Sequence, residues 1–562
     1  MIALQYNEQL ISVKLVSNTD GVEEYEVVPL KSETEIEITF SIPAVDVANT
    51  WNAVKGLNSA LKADWATGST ATIAQSAPVE SFYDYTGENI LTLAWDEIIN
   101  KVTLQSGIHE EDGSLVIKMS IPKTSEPISR LLLITKKYPY TEALAEVTRW
   151  WEKKLAIFPA NESQRVPMYS TWYAFHQEVT DNGLKKELPY IKSLGMDTII
   201  IDDGWQTEDT NRGYAYCGDW QVATSKFSNF KQFVNEMHKE QMKIMVWFSV
   251  PFVGIKSNKW EQVKDKLLMY SESLEAGILD IRYQENIDFI VKTYQDFIEK
   301  YPVDGLKLDF IDQFVERVES PKYHSGMQYE TVEEALAVLM EQIKIVVLDH
   351  NPEFFIEFRQ RYIGPKMREY SNAFRVTDCP YSAISNRVGI ADLRMISGDT
   401  PVHSDMLLWH REDHPENIAL QLAASIFGVI QLSVKLSEQS ELQTATLDFY
   451  TKFAKEHIEL LQLSNLTVTE PENLYSTITA SNETQEIIAL YSEQQIVKVG
   501  KDESWIVNGN SQNSLYLKKS NSQIKKIEIY DATGQLRNTL TSDERLIKIE
   551  QFIGGITKVS NQ

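Results

Sequence analysis

The feature that most constrains the fold is a set of eight short apolar runs between about residues 168 and 434. They are separated by amphipathic stretches with helical spacing, a pattern typical of consecutive parallel β–α units. Eight such units over this length predict an α/β fold, a (β/α)8 TIM barrel. The runs are MYSTWYAF, DTIIIDD, KIMVWFSV, GLKLDF, FFIEFR, AFRVTD, DLRMIS and GVIQLSV.

Short alternating strands flank the barrel on both sides. Before the barrel, segments such as EEYEVVPL and GSLVIKMSI carry β-branched residues at every second position, which predicts an N-terminal β-sandwich over 1–140. The helical stretch TEALAEVTRWWEKKLAIF then leads into the barrel, which we assign to 141–466. Alternation returns in STITAS and EIIALYS, and it predicts a C-terminal β-domain over 467–562.

Composition excludes several classes of protein. A net charge of −26 argues against a nucleic-acid partner, because binding a polyanion requires Lys and Arg to neutralise phosphates. Two cysteines, Cys217 and Cys379, provide no disulfide framework and no zinc-site spacing. Neither a membrane-length apolar run nor a leader pattern is visible, so we expect a cytoplasmic protein without a membrane partner.

Polar residues stand where the predicted barrel strands end, and that end carries the active site in barrels of this kind. Read one by one, each has a structural explanation: a strand-end Asp often caps a helix or pairs with Arg, and a Trp often only packs. In strand order the candidates are Asp202, Asp203, Trp205, Trp247, Lys307, Asp309, Asp312, Glu357, Arg359, Arg361, Arg375, Asp378, Asp399, His403 and Asp405.

The run LKLDF differs because Lys307 and Asp309, two residues apart, share one face of a strand. Charged groups there are costly unless they are paired or used, and a carboxylate beside an ammonium stays ionised, as a nucleophile must. Retaining glycoside hydrolysis needs two carboxyl groups about 5 Å apart, with further polar and aromatic groups to hold the sugar. The set of strand-end residues contains all of these.

A metal site was weighed as an alternative. His403 with Asp405, or His410 with Asp413, could ligate a divalent ion, but neither pair has a second His at ligand spacing. We therefore expect no metal and no other cofactor.

The motifs carry a specific resemblance. IIIDDGW, then GDW and a Lys-Phe pair, then VWFSVP and LKLDF resemble in this order glycoside hydrolase family 36, the family of α-galactosidases (melibiases) and raffinose-synthase-like enzymes. The resemblance covers the barrel core, and it implies a barrel between an N-terminal β-sandwich and a C-terminal β-domain. It also implies that Asp202 and Asp203 bind the far hydroxyls of a galactose, and that Trp205 and Trp247 line its pocket.

The resemblance also implies the catalytic pair. Lys307 would touch a ring hydroxyl, and Asp309 would form the glycosyl-enzyme. The segment FRVTDCPYSAISNR is similar to the family's acid/base segment, which places the general acid/base at Asp378 and a substrate-binding Arg375 three residues earlier. Asp399 is the runner-up acid/base. We expect partial burial to raise the pKa of Asp378, and Lys307 to keep Asp309 charged.

Two departures from the family weaken the inference of galactose specificity. The long members carry Glu-Pro-Glu after the third-strand Trp, where this chain has SVP, and a Cys with a Gly-rich stretch after the fifth strand, where it has FRQRYIGP. The expected function is a retaining, exo-acting α-galactosidase acting on oligosaccharides with a terminal α-galactose. Left open are an α-N-acetylgalactosaminidase, a raffinose-synthase-like transglycosylase, a barrel isomerase or metal-dependent lyase, and a non-catalytic carbohydrate-binding protein.

Two further expectations concern the N-terminal domain and assembly. The domain is expected to pack on the barrel, and either Trp51 or Trp65 is a candidate to reach the sugar, although a Trp in a sandwich more often lies in its core. A homo-oligomer is left open, and the quaternary structure of the longer family members is not carried over to this shorter chain.

Overall fold

The computed structural model describes residues 2–31, 34–493, 496–519, 524–542 and 544–561 of the chain. Its N-terminal part contains the strands β1 (Ile11–Thr19), β2 (Val22–Pro29), β3 (Ile36–Pro43), β4 (Asn49–Asn52), β5 (Ser69–Ala71), β6 (Val79–Tyr83), β7 (Asn89–Trp95), β8 (Val102–His109), β9 (Ser114–Ile121) and β10 (Ser129–Ile134). They form two sheets, ordered β1-β2-β10-β7-β6-β4 and β3-β9-β8-β5.

Strand β3 shows why these residues form a sandwich. Ile36, Ile38 and Phe40 are buried in the core that the two sheets share, whereas Glu37 and Ser41 are exposed. Successive side chains of a strand point to opposite faces, so this alternation buries one face of the sheet. The predicted N-terminal β-sandwich is confirmed.

The middle of the chain alternates strands and helices. The strands are β11 (Met168–Ser170), β12 (Thr198–Ile201), β13 (Lys243–Ser249), β14 (Phe252–Gly254), β15 (Leu267–Ser271), β16 (Ala276–Leu279), β17 (Gly305–Asp309), β18 (Phe355–Arg359), β19 (Ala373–Arg375), β20 (Val402–His403) and β21 (Gln431–Leu432). The helices are α1 (Tyr140–Glu152), α2 (Trp172–Phe175), α3 (Asp181–Ser193), α4 (Phe230–Lys239), α5 (Trp260–Val263), α6 (Gln284–Lys300), α7 (Val332–His350), α8 (Ala383–Ile396), α9 (Pro415–Ser425) and α10 (Glu441–Glu456). Short 3-10 turns lie at Glu162–Gln164, His176–Glu178, Ile311–Gln313, Pro365–Glu369, Leu436–Glu438 and Pro471–Asn473, and a π turn at Glu459–Leu463.

Eight of these strands form the predicted barrel. They pair in parallel in the order β20-β19-β18-β17-β13-β12-β11-β21. Parallel bridges from His403 to Val429 and from Leu407 to Leu432 join the two ends of this sheet, so the barrel closes. The small sheet β14-β16-β15 lies in the connection between β13 and α6.

The interior of the barrel is apolar near the amino ends of its strands. Six buried apolar side chains, one from each of six β–α units, form a separate cluster there: Met168, Ile200, Met245, Phe355, Ala373 and Val429.

One predicted strand is wrong. DLRMIS, taken as the seventh run, lies mostly in α8, and the seventh strand is β20. The Ser382 side chain caps α8 by accepting from the Ser385 backbone N–H, and Leu393 and Met395 are buried between the sheet and its neighbours. A short apolar run within a buried helix cannot be told from a buried strand by its periodicity.

The C-terminal part is a second pair of sheets with a shared core. The orders are β22-β23-β24-β26-β31-β28-β29 and β25-β27-β30 for the strands β22 (Asn465–Thr469), β23 (Thr477–Ser481), β24 (Gln485–Leu490), β25 (Ile496–Val499), β26 (Glu503–Asn508), β27 (Ser514–Lys519), β28 (Ile524–Tyr530), β29 (Leu536–Leu540), β30 (Leu546–Glu550) and β31 (Ile556–Asn561).

The N-terminal domain contacts the mouth of the barrel. Gln75 donates from its side-chain amide to the carbonyl oxygen of Asp312 at 3.1 Å, and the Ser76 backbone N–H donates to the carbonyl oxygen of Arg361 at 2.8 Å. Trp51, however, is fully buried, which contradicts its expected contact with sugar. Trp65 is 75% exposed, and its contact with sugar stays a prediction.

Candidate active site

Polar side chains from three neighbouring strands meet at the carboxyl end of the barrel. Asp202 and Asp203 directly follow β12, Trp247 lies in β13, and Lys307 and Asp309 lie in β17. The parallel register places Trp247 beside Lys307 on adjacent strands. Because side chains two residues apart share a face, Lys307 and Asp309 both point into the barrel, as LKLDF predicts.

Three donors surround the carboxylate of Asp309, which is 8% exposed. The Trp247 indole N–H donates to its Oδ2 at 3.1 Å. The Arg359 Nε–H and the Phe310 backbone N–H donate to its Oδ1, at 2.5 and 2.8 Å. Phe310 has a left-handed backbone conformation (φ 65°), which is uncommon outside glycine and ends the strand sharply after Asp309.

The charged neighbours of Asp309 keep it ionised. Burial raises the pKa of this carboxyl, but Arg359, then Lys307 and Arg375, outweigh the burial and hold the pKa far below its usual value. The sequence predicts this effect for Lys307 alone. Arg359 makes the larger contribution because its guanidinium touches the carboxylate directly.

Lys307 instead forms an ion pair with Asp202. Its Nζ lies 2.5 Å from Asp202 Oδ2, and both side chains are 4% exposed. Burial lowers the pKa of Lys307, but the Asp202 carboxylate outweighs it, so the pKa is raised and the ammonium is kept. The pair links strands β12 and β17 across the barrel mouth.

Asp203 is buried between two amides. Gln177 donates to its Oδ2 at 2.7 Å, and Gln206 donates to its Oδ1 at 2.6 Å. Burial raises the pKa of Asp203 to about 6, and these two hydrogen bonds oppose the shift.

A second charged group lies after β19. Arg375 is 1% exposed and donates from Nη1 to Asp405 at 2.5 Å and from Nη2 to Asp378 at 2.8 Å. Asp405 also accepts from the Tyr173 hydroxyl at 3.1 Å and from the Cys379 backbone N–H at 2.7 Å. Asp405 thus anchors Arg375 in the orientation that reaches Asp378.

The expected raised pKa of Asp378 is wrong for the free protein. Its surroundings raise the pKa by desolvation, but the Arg375 guanidinium outweighs this, and the pKa lies below its usual value. The side chain is 56% exposed, so burial is less complete than the sequence reasoning assumes. The charge of Asp309 also acts to raise the pKa of Asp378, but less than Arg375 acts to lower it.

Two predicted site residues lie apart from this group. Trp205 is fully buried, packs on Phe248 and Phe297 behind the sheet, and donates from Nε1 to the carbonyl oxygen of Trp247 at 2.8 Å. Asp399 precedes β20, so it lies at the amino end of the barrel, where its carbonyl oxygen accepts from Arg165. An acid/base at Asp399 is therefore wrong.

The sequence shows Arg359 and Asp405 as polar residues near strand ends; it assigns Arg359 no role, and it offers Asp405 only as a possible metal ligand with His403. Both prove to be direct partners of the predicted site residues, one holding Asp309 and the other Arg375. The sequence signal that could have identified them was their position at or just after the end of a strand. Their partners depend on side-chain directions that no spacing reveals.

The residues weighed for a metal site have other partners. His403 places one ring nitrogen 2.7 Å from Glu357 and the other 2.9 Å from the carbonyl oxygen of Gln164, while Asp405 binds Arg375. In the described ranges, no cluster of three or more His, Cys, Asp or Glu side chains is placed to hold a metal ion. The same ranges contain no helix with the length and apolarity needed to cross a bilayer.

Comparison with known proteins agrees with this geometry. An α-galactosidase of Lactobacillus acidophilus is 25% identical over 153 residues, 26% of this chain and 20% of that enzyme. An α-galactosidase of Pediococcus pentosaceus is 23% identical over 234 residues, 40% of this chain and 31% of that enzyme. The aligned part of the chain thus spans less than a third of either relative.

Solved structures resemble the whole fold. A family 36 α-galactosidase of Geobacillus stearothermophilus superposes with a TM-score of 0.68 at 12% identity, covering 100% of this chain and 88% of that one. The α-galactosidase of Thermus thermophilus gives a TM-score of 0.55 at 14% identity, covering 84% and 98%.

The melibiase family model matches residues 142–357, a range that contains four of the eight barrel strands and the start of β18, together with Asp202, Lys307 and Asp309. Arg375 and Asp378 lie beyond the matched range. The family resemblance carried by the sequence motifs is thereby confirmed: the barrel of this chain is melibiase-like, akin to that of glycoside hydrolase family 36.

Proposed function

We propose that the protein is a retaining, exo-acting α-galactosidase that releases terminal α-linked galactose from oligosaccharides. Asp309 is the nucleophile and Asp378 the general acid/base. Asp202, Asp203, Trp247, Lys307 and Arg375 bind the sugar in the recess between them. Trp205 supports this recess from behind through the Trp247 backbone.

The observation that carries the proposal is the contrast between the two carboxylates. Asp309 is buried, ionised and oriented by three donors, as a nucleophile must be. Asp378 is more than half exposed and is held by one guanidinium, so it can reach a leaving oxygen and exchange protons with water. Double displacement requires these two different environments in one site.

The relatives support the choice of sugar. The matched proteins are named α-galactosidases, and neighbouring Geobacillus stearothermophilus structures are complexes with raffinose and stachyose. The Thermus thermophilus structure holds p-nitrophenyl α-galactopyranoside. The buried polar side chains of Asp202, Asp203 and Lys307 line the inner end of the proposed sugar recess. They fit a terminal sugar with several hydroxyls, because buried polar groups need hydrogen-bond partners.

Catalysis starts when Asp309 attacks the anomeric carbon while Asp378 protonates the departing oxygen. The low pKa of Asp378 in the free protein must therefore rise when substrate binds. A sugar over this exposed carboxyl excludes water and disfavours its charged form. Asp378 then accepts a proton from the water that hydrolyses the glycosyl-enzyme.

The test compares the wild type with Asp309→Ala and Asp378→Ala on an aryl α-galactoside. Asp309→Ala should lose nearly all turnover. Asp378→Ala should lose less, because an aryl leaving group needs little protonation, and azide should restore part of the rate as galactosyl azide. Retention is established by NMR of the first anomer released.

Parallel assays separate the alternatives. Preference for an aryl α-N-acetylgalactosaminide would reassign the sugar, and transfer to added sugars with little hydrolysis would indicate a transglycosylase. Asp399→Ala, at the opposite end of the barrel, serves as the matched carboxylate control and should match the wild type. Binding of galactose without turnover of any substrate would contradict the proposal and leave a carbohydrate-binding protein.

A further inference from the structure

Arg359 is fixed against Asp309 by several partners at once. Its Nε–H donates to Asp309 Oδ1 at 2.5 Å, its Nη2 lies 3.4 Å from Asp312 Oδ1, and its Nη1 donates to the Gln360 carbonyl oxygen at 3.2 Å. The guanidinium lies over the rings of Phe310 and Tyr362, at 5.1 and 5.9 Å. The side chain is 13% exposed and permanently charged.

The loops on either side of this pair are also anchored. The Tyr362 hydroxyl donates to the Leu308 carbonyl oxygen at 2.8 Å, which ties the segment after β18 to β17. From the N-terminal domain, Gln75 and Ser76 hold the backbones of Asp312 and Arg361. The Arg359 side chain is therefore held in place and cannot reorient freely when the charge of the Asp309 carboxylate changes.

That charge changes twice in a retaining cycle. In the free enzyme, Asp309 is an anion paired with Arg359. In the glycosyl-enzyme it is a neutral ester, so Arg359 loses its principal counter-ion and keeps only Asp312 at the longer distance. The ion pair thus stabilises the states before and after the covalent intermediate, but not the intermediate itself.

We propose that Arg359 is a catalytic residue that destabilises the glycosyl-enzyme on Asp309 and drives its hydrolysis. The inference rests on the proposed double displacement. Water attacks the anomeric carbon, its proton passes to the Asp378 carboxylate, and the bond from that carbon to Asp309 breaks with its electron pair returning to the carboxylate. Arg359 meets the negative charge as it develops, where a fixed cation acts most strongly.

The same contact slows the first step. As Asp309 attacks the anomeric carbon, its carboxylate loses its negative charge and therefore its attraction to Arg359. Removing the guanidinium should therefore favour formation of the intermediate and disfavour its breakdown. Hydrolysis becomes slower relative to formation of the intermediate, and more of the covalent species accumulates.

The experiment is stopped-flow release of dinitrophenol from 2,4-dinitrophenyl α-galactoside, with rapid-quench mass spectrometry of the intact protein. The wild type sets the reference for burst amplitude and burst rate. Arg359→Met should give a larger burst that approaches one equivalent of enzyme and a greater fraction of protein carrying one hexosyl group, with steady-state kcat lower by roughly 10- to 100-fold and the burst rate not lowered. The acid limb of its kcat/KM should also move to higher pH, because the Asp309 pKa loses its largest charged stabiliser.

Two variants serve as controls. Arg361→Met removes a positive charge from the same segment, two residues away, and should match the burst of the wild type. Arg359→Lys keeps a charge near Asp309 and should accumulate less intermediate than Arg359→Met. It also guards against a Met variant that fails to fold, which thermal unfolding would reveal.

The outcomes separate the two proposals. A wild type that turns over no aryl α-glycoside overturns the proposed function and this inference with it. A wild type that turns over substrate with retention, beside a folded Arg359→Met or Arg359→Lys whose kcat and kcat/KM fall together with no more covalent species than the wild type, overturns the role of Arg359 alone.

Discussion

Asp309 and Asp378 have the same side chain, and their surroundings distinguish them. Asp309 accepts from an indole, a guanidinium and a backbone amide inside the barrel mouth, whereas Asp378 accepts from Arg375 at a surface open to water. Both have lowered pKa values in the free protein. Bound substrate can change the exposure of Asp378 far more than that of Asp309, which is already covered.

This difference has a consequence for the pH dependence of catalysis. The general acid must carry its proton, and Asp378 in the free enzyme has a pKa below its usual value, so kcat/KM should decline as pH rises from the acid side. In the complex the sugar dehydrates Asp378 and raises its pKa, so the decline of kcat should begin at higher pH.

The two profiles are measured with an unactivated disaccharide such as melibiose. An aryl galactoside with a good leaving group, which needs no proton, serves as the reference and should lack this decline. Coincident alkaline limbs for kcat and kcat/KM on the disaccharide would contradict the expected substrate-induced shift.

At the scale of elements, one ion pair couples two strands that are not neighbours. β13 separates β12 from β17 in the sheet, yet Asp202 and Lys307 meet above it. Removing one partner of a buried pair leaves the other charge without compensation, which costs more than the pair contributes by its presence.

We expect Lys307→Met to lower the free energy of unfolding by about 3–5 kcal/mol, because the Asp202 carboxylate remains buried without its ammonium. The double variant Lys307→Met with Asp202→Asn should recover much of that loss. Denaturant unfolding of the single and double variants measures the coupling. Lys292→Met breaks an exposed pair with Asp296 on α6 and should leave stability nearly unchanged. Equal losses of unfolding free energy for the Lys307→Met variant and the double variant would argue against coupling between Asp202 and Lys307.

Elements also show where sequence patterns become ambiguous. LKLDF and IIIDDGW each predict a strand and the polar residues at its end. The alternation indicates which side chains share a face of the strand, and the polar residue that follows indicates where the strand ends. DLRMIS predicts a strand but belongs to α8, since a helix buried on most sides loses its amphipathic period.

At the scale of the whole molecule, the three domains meet at one buried carboxylate. Asp392, in α8 of the barrel, accepts from the Trp51 indole N–H of the N-terminal domain at 2.8 Å and from the Tyr475 hydroxyl of the C-terminal region. Lys55 Nζ lies 3.5 Å away and also over the Tyr475 ring. Both charged side chains are nearly inaccessible, at 3% and 5% exposed.

We expect Asp392→Asn to reduce stability by about 3 kcal/mol or more, because the Lys55 ammonium then lies buried without a counter-ion. The melting temperature measures this loss, and kcat per folded molecule should be preserved, since Asp392 is not among the contacts of the catalytic pair. Asp448→Asn, which breaks a surface pair with Lys452 on α10, is the matched control and should leave stability nearly unchanged. An unchanged melting temperature for Asp392→Asn would contradict a joint role for this carboxylate.

The sequence by itself determined the architecture and the nucleophile candidate. Apolar periodicity reports which face of an element is buried, and the parallel arrangement places every strand's carboxyl end at one mouth, so Asp202, Lys307 and Asp309 are brought together by topology alone.

Only the tertiary structure decided which charged groups touch. Arg359 reaches Asp309, Lys307 turns to Asp202, and Arg375 lowers the Asp378 pKa that the sequence expects to be raised. The tertiary structure also shows that Trp51 lies in the interdomain core and that Asp399 lies at the amino end of the barrel. Such partnerships depend on rotamers and on exposure to water, which are set by packing between residues distant in the chain and leave no period in the sequence.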